Sequence, residues 1–328
     1  MTVLRVGVIG AGVMGRGHAE FIRDNISEAK VVAVSDVDIK RATGLAADLG
    51  ADVSTYSAAE DLINSGLVDA LIIASPDALH VSQLSSALAA GLPTLCEKPI
   101  ATTLSDARMI AGEIKAAEKL RGGRLVSFGF MRRFDHAYIQ VKQAIESGQY
   151  GKVLFVRTST RNVSSPGITS EGLYTNIAVH DFDIWRWMLS DEWESVSSHL
   201  PRSSGNSPEG LNDPLIFVAK MKSGILVVGD VIANDYYGYD LRTEVVCERG
   251  SLEIGIFGDV HIRSHFVAEP VRGGQMVENW IPRSRDAYIQ ELKAWVISVN
   301  SGVTHPDLAS VDDAYEATAA CFLALDSL

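Results

Sequence analysis

The chain has 328 residues, 47% hydrophobic and 21% charged, with a formal net charge of -12 at pH 7. That length suits two domains, with enough apolar side chain for a core in each. The acidic balance excludes a protein that grips nucleic-acid phosphates with clustered Lys and Arg, and no run reaches the ~18 apolar residues of a membrane-spanning helix.

The N-terminus enters a strand pattern at once (Val6-Gly7-Val8-Ile9), so no export signal is expected. Through the first third of the chain, strands are predicted at Leu4–Ile9, Val31–Ser35, Ala70–Ala74, Thr94–Cys96 and Arg124–Phe130. Helical periodicity fills the gaps at Gly15–Arg23, Arg41–Leu49, His80–Ala90 and Leu104–Leu120. Such alternation implies crossover units and a parallel sheet covered on both faces, so residues 1–128 read as a doubly wound α/β domain. Beyond about residue 130 the texture changes. Strands are predicted at Val153–Ser159, Leu215–Met221, Leu226–Ala233, Arg242–Cys247 and Ser251–Ile256, several joined by hairpin punctuation such as Lys222-Ser223-Gly224 and Glu248-Arg249-Gly250. Helices are predicted at His136–Ser147, His180–Leu189, Asp286–Asn300 and Asp312–Leu328. Residues 129–328 therefore read as an α+β domain with a mainly antiparallel sheet. Arg202–Asp213, rich in Ser, Gly, Asn and Pro, reads as a surface loop.

The first strand runs into Gly10-Ala11-Gly12-Val13-Met14-Gly15, a G-x-G-x-x-G spacing between strand and helix. Gly10 permits the tight turn, Gly12 lets backbone approach a pyrophosphate, and Gly15 lets helix and strand pack closely. The helix that follows aims free N–H groups at the phosphates. Asp36 ends the second strand, where a carboxylate accepts ribose hydroxyls and repels a 2′-phosphate, so NAD is favoured over NADP. Arg41 lies near enough in sequence to meet a 2′-phosphate, which leaves NADP open. The first domain is thus a Rossmann, NAD-binding domain.

Glu97-Lys98-Pro99 leaves a predicted strand at its carboxyl end, where open parallel sheets bind ligands. A Lys there can donate to a substrate hydroxyl and stabilise a developing alkoxide. In the second domain, Asn176 and His180 share a face if their segment is helical, and histidine is suited to taking a hydroxyl proton near neutral pH. On that segment Phe182, Trp185, Met188 and Leu189 read as core-facing and Asp183 as a local hydrogen-bonding group. Cys96, Cys247 and Cys321 are odd in number and far apart, so no disulfide framework is expected and a reducing, cytoplasmic setting fits. No Cys pair has ligand spacing, and His261 and His265 do not converge on a strand, so no metal is expected.

Together the glycine loop, Ser35-Asp36-Val37, Ser75-Pro76 followed by His80, Glu97-Lys98-Pro99, Gly129 through Asp135, His180 through Asp183 and Asn234 through Asp240 resemble the glucose-fructose oxidoreductase/inositol dehydrogenase family. The resemblance spans essentially the whole chain and is strongest to the inositol branch, through Arg132-Arg133-Phe134-Asp135 and Tyr237-Gly238-Tyr239-Asp240. It implies a large open sheet in the second domain and a homotetramer associating through that sheet. Implied cofactor contacts are the loop from Gly10 through Gly12, Val13, Met14 and Gly15, then Asp36, Val37, Arg41, Ser75, Pro76, His80, Glu97 and Lys98. Implied catalytic residues are Lys98 and His180, with Asn176 where the family usually has Asp. Ring hydroxyls of a polyol are implied to meet Lys98, Asn162, Asn176, His180, Tyr239 and Tyr288. Inositol dehydrogenases often carry His where this chain has Thr160, so one polyol contact changes type.

The expected activity is oxidation of a secondary alcohol of myo- or scyllo-inositol to the ketone by NAD, reversibly. A pyranose or sugar derivative is the alternative substrate. A dinucleotide-binding sensor without turnover is the rival class, suggested by Asn176.

Overall fold

In the computed structural model residues 3–255, 260–263 and 279–328 are described. They form two compact units: Met1–Met131 with Tyr288–Thr318, and Arg132–Ala287 with Ala319–Leu328.

The first unit holds β1 (Leu4–Ile9), β2 (Ala29–Ser35), β3 (Ser54–Tyr56), β4 (Ala70–Ile73), β5 (Thr94–Glu97) and β6 (Val126–Gly129). All pair in parallel, in the order β3-β2-β1-β4-β5-β6. The order reverses between β1 and β4, where doubly wound sheets leave a crevice beyond the strand ends. Every residue of β4, Ala-Leu-Ile-Ile, is buried, as expected of a strand covered on both faces. The crossovers are α1 (Val13–Asn25), α2 (Ile39–Leu49), α3 (Ala59–Ile63), α4 (His80–Ala89) and α5 (Leu104–Arg121). On α5, Ala107, Ile110, Ala111 and Ile114 form one buried stripe, the spacing of a helix lying on a sheet. The Thr103 hydroxyl caps α5 by accepting from the Asp106 N–H at 3.1 Å, and Gly122 ends it in the left-handed region (φ 76°). β3 and α3 were not predicted; each is too short for periodicity to register.

The second unit is built on β7 (Val153–Arg161), β8 (Trp193–His199), β9 (Leu215–Met221), β10 (Leu226–Ile232), β11 (Asp240–Cys247), β12 (Gly250–Ile254) and β13 (Val260–Arg263). Their order is β13-β12-β11-β7-β10-β9-β8, antiparallel throughout except the parallel pair β7 and β10. Alternation decides the faces. Leu215, Phe217, Ala219 and Met221 of β9 and Val227 and Val231 of β10 are buried, while Leu226 and Val228 stay 41% and 37% exposed. On the buried side α6 (His136–Glu146) packs on β12, and a π-helical turn at Leu173–Ala178 packs on β10 before running into α7 (Val179–Leu189). The helix predicted to start at His180 is therefore longer at its N-terminal end, and that extension is not α-helical. Finally α8 (Trp280–Ser301) and α9 (Val311–Asp326) contribute residues to both units.

Candidate active site

The glycine loop joins β1 to α1. Gly10 has φ 94°, which L side chains rarely adopt, and a Cβ on Gly15 would run into the Gly10 carbonyl. A Cβ on Gly12 would meet nothing within 4 Å. Packing demands glycine at the first and third positions; at the second, the space beside the backbone is left for something else. α1 has no side-chain cap, so its first N–H groups remain available to an anion.

That space opens into a cavity of about 540 Å³ lined by Gly10, Gly12, Val13, Met14, Asp36, Val37, Arg41, Ser75 and Pro76, along with residues 57–60 of the turn into α3 and Gln83 of α4. Nine of the predicted cofactor contacts thus share one cavity. Asp36 is fixed at its edge: one carboxylate oxygen accepts from the Ala11 N–H at 2.8 Å, the other from the Asp38 N–H at 2.9 Å. The remaining lone pairs can take ribose hydroxyls. Arg41 is mostly exposed, with Nε 3.7 Å from Asp38. The uncapped helix, the open flank of Gly12 and the fixed carboxylate fit a dinucleotide.

Beside this cavity, β5 ends in Glu97-Lys98-Pro99. Glu97 is buried, and its Oε1 lies 2.6 Å from Nε2 of His18, a fully buried residue of α1. Burial pushes the Glu97 carboxyl up, but the His18 hydrogen bond and the nearby charges of His18, Lys98 and His80 outweigh it and hold the pKa below the ordinary value. Lys98 is half-buried. His80, 1% exposed, has Nδ1 2.8 Å from the Pro99 carbonyl and Nε2 3.0 Å from the Ser75 carbonyl. Both nitrogens are thus occupied by backbone, so its bearing on the cofactor cavity runs through the Ser75 turn. Tyr288 packs its ring edge-on against His18 (centroids 5.8 Å apart) and stacks on Phe21 at 6.2 Å.

In the second unit, Asn176 is exposed on the π turn and His180 is half-buried in the first turn of α7. A π turn carries an inserted residue and recurs at functional sites; it also breaks the simple i,i+4 geometry assumed for these two residues. Next to His180, Asp181 is 1% exposed and organises a polar cluster. Its Oδ1 accepts from Arg132 Nη1 at 2.9 Å and from the Thr158 hydroxyl at 3.0 Å, and its Oδ2 from the Thr160 hydroxyl at 2.9 Å. Arg132 Nη2 also donates to Thr160 Oγ1 at 3.2 Å. The Thr160 hydroxyl is therefore committed on both sides, and the residue is 2% exposed. Tyr239 is also buried; burial pushes its hydroxyl up, against the opposing charges of Arg132 and Arg283. Asn162 donates its side-chain amide to Ser165 Oγ at 3.2 Å.

Arg132, Arg133, Asp135, Asp181 and Asp183 stand out in the sequence as motif residues, but their pairing does not. Arg133 grips Asp183 with two bonds of 2.9 and 2.5 Å, and Arg283 meets Asp135 at 2.5 Å. Charged residues flanking buried aromatics were the available signal. The His18–Glu97 pair was also missed; a histidine three residues past Gly15, on the helix face turned to the sheet, was its only trace. Among the described residues, no group of three or more His, Cys, Asp or Glu could hold a metal ion, and no helix is long and apolar enough to cross a membrane. His265 lies outside the described residues, and of His261 only its strand position is described. Cys96, Cys247 and Cys321 are free and buried.

A family model described as "Oxidoreductase family, NAD-binding Rossmann fold" matches residues 4–122, and one for the GFO/IDH/MocA C-terminal domain matches residues 138–253. The chain is 38% identical to inositol 2-dehydrogenase 4 of Saccharopolyspora erythraea over 321 residues, covering 97% of this chain and 91% of that one. The chain belongs to the GFO/IDH/MocA oxidoreductase family. An inositol 2-dehydrogenase of Klebsiella pneumoniae is 35% identical over 97% of this GFO/IDH/MocA chain and 91% of its own. Among solved structures, myo-inositol dehydrogenase from Lactobacillus casei, in complex with NAD(H) and myo-inositol, superposes with a TM-score of 0.88 at 28% identity, covering 99% of this chain and 94% of that one.

Proposed function

We propose that this protein is an NAD-dependent dehydrogenase that reversibly oxidises a secondary alcohol of an inositol, myo- or scyllo-, to the ketone. The observation that carries this reading is end-to-end similarity to inositol 2-dehydrogenases in a chain whose glycine loop, Asp36 and Ser75 turn frame one dinucleotide-sized cavity. NAD, when bound, supplies the hydride acceptor. α1 and the glycine loop hold the pyrophosphate, and Asp36 holds the ribose.

In this reading His180 takes the hydroxyl proton, a role suited to an imidazole near neutral pH. Lys98 donates to the same oxygen and stabilises the negative charge that develops on it. Asn176 tunes His180 through hydrogen bonding, without the charge a carboxylate would bring. Asn162, Tyr239 and Tyr288 are proposed as ring-hydroxyl contacts, and Thr160 as acting through Arg132 and Asp181. The exposed Leu226 and Val228 on the open face of the large sheet support assembly as a homotetramer, and three free, buried thiols suit a cytoplasmic setting.

NADH fluorescence with a panel of inositols and aldoses, run with NAD and NADP side by side, tests the activity. Turnover of an inositol with NAD is expected. Turnover confined to aldoses would assign a sugar dehydrogenase, and dinucleotide binding without turnover of any compound would assign a sensor. Lys98→Met and His180→Gln should each lower kcat at least about 100-fold.

A further inference from the structure

The Ser75 turn and the strip Glu97-Lys98-Pro99 leave the neighbouring strands β4 and β5. Between them stands His80, the first residue of α4, almost wholly withdrawn from solvent. Its two ring nitrogens face two backbone carbonyls, Pro99 at 2.8 Å and Ser75 at 3.0 Å. A carbonyl oxygen only accepts, and a neutral imidazole has a single N–H. Either neutral tautomer would set a nitrogen lone pair against an oxygen lone pair at hydrogen-bond distance in a buried site, where an unmatched polar contact is most costly. The imidazolium alone satisfies both contacts.

His18 also faces the strip: its Nε2 meets the Glu97 carboxylate at 2.6 Å, and its Nδ1 has no hydrogen-bond partner among the described residues. The other charged groups facing the strip are Glu97 itself, Lys98 and Asp77 of the turn before α4, which also acts on the Cys96 thiol. Glu97, which His18 meets at 2.6 Å, also feels the charges of Lys98 and His80.

We propose that His80 is held as an imidazolium whose two N–H groups tie the Ser75 turn to Pro99 and so position Lys98. His80 is a positioning residue: its nitrogens face backbone carbonyls, and it acts on the neighbouring lysine. The same turn lines the dinucleotide cavity, so one strut sets both the cavity wall and the lysine. The functional half of this inference rests on the reading of Lys98 as the group that steadies the reacting oxygen.

The test begins with the full chain carrying 15N-labelled histidine, studied by long-range 1H–15N correlation at pH 7.5 without substrate. The expected spectrum shows an imidazole with both nitrogens protonated that disappears in His80→Gln and persists in His18→Gln. A neutral signature for His80 would falsify the proposal. In His80→Gln, kcat should fall about 10- to 100-fold, the scale set by a displaced catalytic group, and by more than the Kd for NADH rises. A kcat within about twofold of the parent, or a loss of kcat that only follows weakened NADH binding, overturns the positioning role. Should His80→Gln not fold, the spectrum of His18→Gln decides: a doubly protonated imidazole that persists there supports the proposal, and the absence of any ends it. That spectrum needs no substrate, so failure to turn over inositols would strike the assigned activity and leave the charge state of His80 separately decided.

Discussion

At the scale of single residues, Asp36 carries the choice of dinucleotide. Its two oxygens are pinned by the Ala11 and Asp38 N–H groups, so the carboxylate cannot swing away from a 2′-phosphate. Arg41 lines the same cavity and is held only at 3.7 Å by Asp38. Removing the carboxylate should therefore leave a cation ready for the extra phosphate. In Asp36→Ala the ratio of kcat/KM for NADP to that for NAD should rise at least about 100-fold, the factor given by ~3 kcal/mol of lost repulsion and gained pairing. An unchanged ratio would show that another group discriminates. Asn176 offers a second test at this scale. A carboxylate there would stabilise the imidazolium formed at His180, so Asn176→Asp should raise kcat with an inositol severalfold and shift the acid limb of the kcat–pH profile. Turnover that appears only in the Asp variant would mean that the natural chain is impaired at this step. The setting of the glycine loop and of Asp36 at one cavity was legible in the sequence because it is fixed by neighbours within a few residues. The carbonyl partners of His80 were not, because one of them lies 19 positions away and residue types do not announce backbone acceptors.

Among elements, legibility followed length and regularity. The long crossovers and most strands of the two sheets were visible as periodicity, whereas β3 and α3 were too short to register and β8, Trp-Glu-Ser-Val-Ser-Ser-His, too polar. The π turn was invisible for a different reason: Leu173, Tyr174, Ile177 and Ala178 are all buried, a spacing that reads equally well as α-helix. Its consequence is local, since it sets Asn176 on a widened turn immediately before α7. The other feature carried by elements is the pair of arginines in the 3-10 turn at Met131–Phe134, which are answered by carboxylates on α7. Arg133 and Asp183 have side chains only 3% and 1% exposed. Removing one partner leaves an uncompensated buried charge, which costs about 3–5 kcal/mol, whereas replacing both with apolar residues of similar size is often close to neutral. Asp183→Asn should therefore lower the urea midpoint strongly, and Arg133→Met with Asp183→Leu should recover most of the loss. If the double variant is as unstable as the single one, the pair contributes more than mutual neutralisation. Asp183 read as a local hydrogen-bonding residue in the sequence, and in this account kcat per folded molecule stays near the parent's in the double variant.

For the molecule as a whole, the response to alkali follows from what the second unit buries. Tyr138, on α6, is fully buried and meets the Trp185 ring edge-on at 6.5 Å. Burial pushes its phenol up to about 12 from an ordinary value of 10.0; Asp181 adds to the rise, and the Arg132 guanidinium opposes it. The folded state therefore keeps this proton over a range in which the unfolded chain has released it. With more protons bound in the folded state, stability falls as pH rises. The contribution is intact below about pH 10 and declines by about 1.4 kcal/mol per pH unit above it, levelling off near pH 12 with about 3 kcal/mol lost. Tyr174 and Tyr239 are raised by burial as well, but they are common to the parent and to a Tyr138→Phe variant and cancel in the difference between them. Urea unfolding of both proteins at pH 8 and pH 11 isolates the one proton. The parent should lose about 1.4 kcal/mol more than Tyr138→Phe between those two conditions, and an equal loss in both would mean that the Tyr138 hydroxyl ionises as readily in the folded protein as in water.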